Sequence, residues 1–165
     1  MIMLTVAVLV ALFVSLWTWV RSFFQDKVIQ TVRESLGEVW AEYIVDAIMF
    51  LDRPISMIRA QAGRIYQGFK THVLGIRQRL SLIKPGKYNE VIETDIYDPT
   101  TRKVTVVTRG PVPVGLSELP EPLRQALVER NVKEGVLSWG EALDQRVQER
   151  AREENIPLTL EQANA

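Results

Sequence analysis

The longest apolar run of the chain lies at its start. Residues 1–20 contain no charged side chain, and their polar side chains are Thr5, Ser15 and Thr18. At a rise of about 1.5 Å per residue, 20 helical residues match a hydrocarbon core about 30 Å thick. A secretory signal would carry a basic start and a small-residue cleavage site, and neither is seen. The pattern predicts an uncleaved transmembrane anchor over residues 1–21.

Aromatic and basic residues mark one end of this run. Trp17, Trp19 and Arg21 are typical of a membrane–water interface, where indole rings and a basic stop are enriched. Lys27 and Arg33 follow, whereas no basic side chain precedes the run. The positive-inside rule therefore predicts an integral, single-pass protein with its N-terminus outside and its C-terminal body on the cytoplasmic side.

Small residues recur along the apolar run. Ala7, Ala11 and Ser15 are spaced by four residues and would share one face of a helix. Such a face allows another membrane helix to approach closely, although alanine is also common in apolar helices that pack against nothing. The spacing predicts a transmembrane packing surface.

Apolar residues recur at steps of three and four after the anchor. Residues 22–84 predict an amphipathic helical hairpin, made of an acidic helix at 22–52 and a basic helix at 54–83 with a corner at Asp52-Arg53-Pro54. Pro54 fits the first turn of the second helix, where its missing N–H would be unpaired in any case.

The predicted basic helix has three interpretations. Residues 53–89 carry eight cations and no acid. The cations can complement the acidic helix, lie on anionic lipid headgroups, or bind nucleic acid without sequence preference, the last being the weakest because no recognition motif accompanies them. The cations of this lipid or partner face are Arg53, Arg59, Arg64, Lys70, Arg77, Arg79, Lys84 and Lys87.

The second half of the chain differs from the first in its residue pattern. Residues 88–110 contain two segments rich in β-branched residues around Asp98-Pro99, which predicts a β-hairpin. Residues 111–121 are rich in Pro and predict an extended linker. Residues 122–165 predict a helical docking unit and tail, whose docking residues are Leu137, Trp139, Leu143 and Val147.

A capping pattern separates the two helices of this last unit. Gly135, Val136, Leu137, Ser138 and Glu141 follow the order Gly-hydrophobic-hydrophobic-Ser-x-x-Glu between a short helix and a longer one. In this the unit resembles the short C-terminal domain (SHOCT) family over about 30 residues. The resemblance implies a small oligomerisation or docking module, and it departs from the family at Ala142, where an aromatic residue is expected.

Composition limits the chemistry. The chain has no Cys and a single His, His72, which excludes disulfides, thiolate catalysis and His-only metal sites. No phosphate loop, dinucleotide fingerprint or nucleophile–base motif occurs, so we expect no catalytic, cofactor-binding or metal-ligating residues and a protein that is not an enzyme. The net charge of the whole chain is zero, but its segments differ: the net charge is −3 over residues 1–52, +8 over 53–89 and −5 over 90–165.

Together these patterns predict a mainly α protein with one transmembrane helix, a helical hairpin, a small β-hairpin and a C-terminal two-helix unit. The expected function is a structural or assembly subunit of a membrane-associated complex. Its expected partners are other membrane-protein subunits, with anionic lipid headgroups and a homo-oligomer as further possibilities. The alternative is a tether or regulator that binds anionic lipid or nucleic acid through residues 53–89.

Overall fold

The computed structural model describes residues 2–3 and 5–159. Its N-terminal part is helical after one short strand. The elements are β1 (Ile2–Met3), α1 (Val6–Ser15), α2 (Trp17–Phe23), a π-helical turn (Phe24–Ile29), α3 (Gln30–Leu36) and α4 (Glu38–Asp52). Gly37 has a φ of +100°, which a residue with a side chain rarely adopts, and it separates α3 from α4.

Short helices lead into three consecutive strands, and two helices with a further strand between them follow. The middle elements are α5 (Ile55–Ile58), a 3-10 turn (Arg59–Gln61), α6 (Ala62–His72), β2 (Val73–Lys84), β3 (Lys87–Asp98) and β4 (Lys103–Gly115). The last elements are a 3-10 turn (Leu116–Glu118), α7 (Glu121–Glu129), β5 (Glu134–Ser138) and α8 (Trp139–Glu153).

The strands form one sheet in the order β1-β5-β2-β3-β4. Strands β5, β2, β3 and β4 are antiparallel neighbours, and β1 joins β5 in parallel. Asp98 ends β3 with an Asx turn, in which its Oδ1 accepts the Thr100 N–H at 2.9 Å. Strand β4 begins just after the turn and pairs with β3 along its whole length, from Asp98↔Lys103 to Lys87↔Gly115.

The two faces of the sheet differ in polarity. Alternate residues of β3 are buried against the helices, namely Tyr88, Glu90, Ile92, Thr94 and Ile96. The residues between them face the other way and are only half-buried. On that outer face Arg77 of β2 pairs with Asp95 of β3, both partly exposed. Period-two alternation therefore sets which face carries the core.

The predicted transmembrane anchor is wrong as an element of the fold. No helix in the described part of the chain is both long and apolar enough to cross a membrane alone. Only α1 and the helical stretch Trp17–Leu36 together meet that requirement, and they bend by 111° at the break between them. Leu16, with φ −132° and ψ 48°, interrupts the helix. The apolar run instead supplies core residues, since Leu9, Leu12 and Phe13 are buried.

The predicted basic helix over 54–83 is also wrong. Helix α6 ends at His72, and the next twelve residues form β2. Ile76 and Leu80 fit a helix as well as a strand, because a spacing of four residues keeps two side chains on one face in both. The alternation through Gln78, with Arg77 and Arg79 on the opposite face, is the strand signal.

The remaining elements complete the correction of the mainly α fold. The acidic helix over 22–52 is divided by the π-helical turn and Gly37. The linker over 111–121 holds the end of β4, a 3-10 turn and the start of α7. The C-terminal unit contains β5 as well as two helices. Residues 1, 4 and 160–165, which fall within the predicted anchor and tail, lie outside the described residues.

Candidate functional site

Helix α1 has one buried face and one exposed face. On the buried face, Leu9 and Leu12 are at most 2% exposed, and Phe13 lies 6.1 Å from Trp139 of α8 between ring centroids. The exposed face carries no charge, although water-facing helix surfaces are normally charged or polar. We call it the α1 outer face, and its exposed residues are Thr5, Ala7, Val8, Ala11, Val14, Ser15 and Leu16.

The small residues singled out in the sequence lie together on the α1 outer face. Ala7, Ala11 and Ser15 are all exposed, so no other part of the described chain covers them. The Ser15 hydroxyl donates to the Ala11 carbonyl oxygen at 2.9 Å. That bond satisfies the donor within the helix, which makes the surface compatible with an apolar neighbour. Val14, at 66% exposed, is the most exposed large apolar residue of the helix.

The predicted membrane-interface residues lie beside α1 and bond within the protein. The Trp17 indole N–H donates to Asp52 Oδ1 at 3.0 Å, and Trp19 donates to the Glu118 carbonyl oxygen at 3.3 Å. Arg21 forms an ion pair with Asp52 at 3.2 Å. Both indoles are half-buried. These residues therefore fasten the N-terminal helices to the body of the domain.

The predicted docking residues of the C-terminal unit are core residues. Leu137, Trp139, Leu143 and Val147 are at most 1% exposed. Trp139 is the centre of an aromatic cluster, and its ring lies 5.0 Å from that of Phe23 between centroids. The surface that these side chains cover belongs to the same chain, so they are not available to a partner in this fold.

The predicted basic face is distributed over helices and strands. Several of its cations have acidic partners: Lys70 pairs with Asp144 at 3.0 Å, and Arg79 pairs with Glu93. The hydrogen bond to Asp95 raises the pKa of Arg77. Arg59 donates to the carbonyl oxygens of Glu154 and Asn155, and Arg64 to Gln61, while Arg53, Lys84 and Lys87 are exposed.

A buried polar network was missed in the sequence. Glu90 is fully buried, and its Oε2 accepts from Gln78 Nε2 at 2.6 Å. Its Oε1 accepts from Lys27 at 2.7 Å and from Arg109 at 3.4 Å. Gln78 in turn accepts from the Trp139 indole N–H at 2.9 Å. The network joins the π-helical turn, the sheet and α8 through hydrogen bonds that are buried or partly buried.

The single histidine packs against an aromatic side chain. Its Nδ1 donates to the Gly68 carbonyl oxygen at 2.8 Å, and its ring stacks on Tyr43 at 3.9 Å between centroids. Both residues line an open cleft of about 500 Å³ that also holds Asp46. Burial raises the pKa of Asp46, and Arg64 partly opposes the shift. Among residues 2–3 and 5–159, no three His, Cys, Asp or Glu side chains are placed to share a metal ion.

Comparison with known proteins assigns no family. The chain matches no protein-family model, and neither the curated proteins nor the solved structures gave a significant match. Ser138 precedes α8 but makes no side-chain capping bond, and residues 134–138 form β5. The resemblance to the short C-terminal domain family stays a prediction. The α1 outer face is therefore the candidate site on structural grounds alone.

Proposed function

We propose that this protein is a non-enzymatic assembly subunit of a membrane-associated complex, and that the α1 outer face packs against an apolar helix of a membrane-protein partner. One observation carries the proposal: the exposed side of α1 has no charge over residues 5–16. A helix that is apolar on all sides is normally covered on all sides. The fold covers one side, and the partner covers the other.

The size of the exposed side chains favours a helix as the partner. Ala7 and Ala11 lie one helical turn apart with Ser15 next in line, so the backbone of a neighbouring helix can approach closely. Small side chains do not favour binding to a lipid surface, because the affinity of a helix for lipid rises with the apolar area that it inserts. Replacement of one alanine by a larger apolar residue therefore separates the two kinds of neighbour.

The test uses the full chain, expressed in its native cells and extracted in mild detergent, with the mass of the native particle as the readout. Ala11→Leu is expected to disperse the particle to the subunit alone, whereas Ala11→Ser is expected to preserve it. Val14→Lys is expected to disperse it as well, because it places a charge on the α1 outer face. Val128→Lys is the matched control, since Val128 is 61% exposed on α7.

Either of two results would contradict the proposal. One is recovery of the unmodified chain as a lone monomer. The other is an Ala11→Leu variant that associates more strongly with membranes while its particle mass does not change. The second result would identify lipid, and not a helix, as the neighbour of α1.

A further inference from the structure

A second surface feature lies outside α1. A cleft of about 410 Å³ separates the π-helical turn and α3 from α4. Four apolar side chains line the walls of the cleft, those of Ile29, Val45, Ile48 and Met49. Ile29 and Ile48 are at most 7% exposed, whereas Val45 and Met49 are half-buried. The volume lies at the low end of the roughly 300–1,000 Å³ of typical small-molecule sites.

The rim of this cleft is cationic. Arg21, Arg33 and Arg53 line it together with a single acid, Asp52. Arg21 is paired with Asp52 at 3.2 Å, and Arg33 is paired with Glu38. Within the described ranges, the guanidinium of Arg53 has no hydrogen-bond or ion-pair partner. The unpaired guanidinium of Arg53 therefore lies at the rim of a cleft with apolar walls.

The backbone that carries Arg53 is held in place. Arg150 of α8 donates from Nη2 to the Arg53 carbonyl oxygen at 2.7 Å and from Nη1 to that of Phe50. These two bonds fix the end of α4, where the helix gives way to the extended residue Arg53. The main chain at Arg53 is thus ordered at the edge of the cleft, which removes the backbone part of the entropic cost of binding an anion.

We propose that this cleft binds a single-chain anionic amphiphile, such as a fatty-acid carboxylate. Its alkyl chain lies along Ile48 and Met49, and its head group binds the guanidinium of Arg53, with Arg21 nearby. Guanidinium groups bind carboxylates in a planar, two-bond geometry. A two-chain lipid would need a larger apolar volume. The inference goes beyond the proposed function, because α1 contributes no residue to the cleft.

The chain contains its own probe and its own control. Met49 lines the cleft, and Met57, which is 56% exposed on α5, does not. Methyl-labelled methionine in the full chain reports both by NMR. Titration with decanoate below its micelle concentration is expected to shift the Met49 methyl resonance to saturation and to leave that of Met57 in place. Decanol, which has the same chain without the charge, is expected to bind at least tenfold more weakly.

Substitutions at the free guanidinium give the second arm. Arg53→Ser is expected to weaken decanoate binding roughly tenfold, and Arg53→Lys is expected to weaken it less, because the charge remains but the two-bond geometry is lost. Arg130→Ser is the matched control, since Arg130 is exposed beyond α7 and outside the cleft. Circular dichroism checks that each variant keeps the fold.

Each outcome decides the proposal. Saturable shifts at Met49 that depend on Arg53 support it. Equal shifts of Met49 and Met57, or equal binding of decanoate and decanol, would overturn it. Shifts with phosphatidylglycerol vesicles and none with decanoate would overturn the free amphiphile as the ligand and assign the cleft to a bilayer lipid. Val14→Lys is expected to leave decanoate binding unchanged, which separates this proposal from the docking of α1.

Discussion

At the scale of single residues, the position of Glu90 shows what sequence reasoning can find and what it overlooks. Glu90 occupies the apolar phase of β3, between Tyr88 and Ile92, so its burial follows from alternation once the strand is recognised. Its partners do not follow directly, because Lys27 is 63 residues away in sequence and Gln78 comes beside Glu90 only once β2 pairs with β3. Buried acids need such partners, since desolvation of an unpaired carboxylate is costly.

Removal of the Glu90 carboxylate is therefore expected to destabilise the fold. Glu90→Ala leaves Lys27, only 26% exposed, beside a cavity with no counter-charge and leaves the Gln78 amide without its acceptor. We expect a loss of about 3 kcal/mol in the free energy of unfolding, at the lower end of the range for broken buried pairs because Lys27 retains some water. Urea unfolding followed by circular dichroism measures the loss.

The control for this variant is an exposed ion pair. Arg79→Ala removes one of the two cations paired with Glu93 on the outer face of the sheet, where Arg79 is 44% exposed and Arg77 remains 3.6 Å away. Exposed pairs contribute about 0–1 kcal/mol, so this variant is expected to unfold close to the unmodified chain. Similar small losses in both variants would show that the Glu90 network does not stabilise the domain.

At the scale of elements, the β-hairpin turn and the helix α8 could be anticipated, whereas the change from α6 to β2 could not. Val73 to Lys84 fits a helical stripe and a strand alternation, and the choice depends on β3 and β5 pairing along both edges. Position 140 illustrates the same dependence. In isolation a helical glycine reads as a weak point of α8, yet packing against β2 requires it.

Gly140→Ala is expected to destabilise the fold despite the higher helix propensity of alanine. A Cβ at this position would lie 2.8 Å from the backbone nitrogen of Ile76, which cannot rotate away. Gly140 is the second residue of α8, so the propensity gain is at most about 1 kcal/mol. The cost of overpacking is about 1–3 kcal/mol and is at its upper end against rigid backbone. We therefore expect a lower melting temperature by differential scanning calorimetry.

Gly115→Ala is the matched control for this variant. A Cβ there would meet its nearest neighbour, the Ser117 hydroxyl oxygen, at 3.6 Å, an ordinary van der Waals contact. The control is expected to melt within a few degrees of the unmodified chain. A Gly140→Ala protein that melts at or above the unmodified chain would show that α8 does not pack as closely on β2 as the structure has it.

At the scale of the whole molecule, the sequence correctly marks residues 1–20 as unusual but does not say what surrounds them. A charge-free run of this length is expected for a helix in lipid and equally for a helix with core on one side and an apolar partner on the other. The break at Leu16 and the aromatic cluster around Trp139 show that one side of α1 faces the core in this fold, and the apolar partner on its other side is our proposal. The aromatic cluster depends on contacts between α1 and Trp139 of α8, more than 120 residues later in the chain.

The most direct test of the account compares lysine on the two faces of α1 in the full chain. Leu12 is 2% exposed and faces the core, whereas Val14 is 66% exposed on the α1 outer face. We expect Leu12→Lys to abolish cooperative urea unfolding, and Val14→Lys to keep the unfolding midpoint of the unmodified chain while the native particle disperses. Equal effects of both substitutions on unfolding and on particle mass would contradict the account, because they would mean that the helix has no inner and outer side.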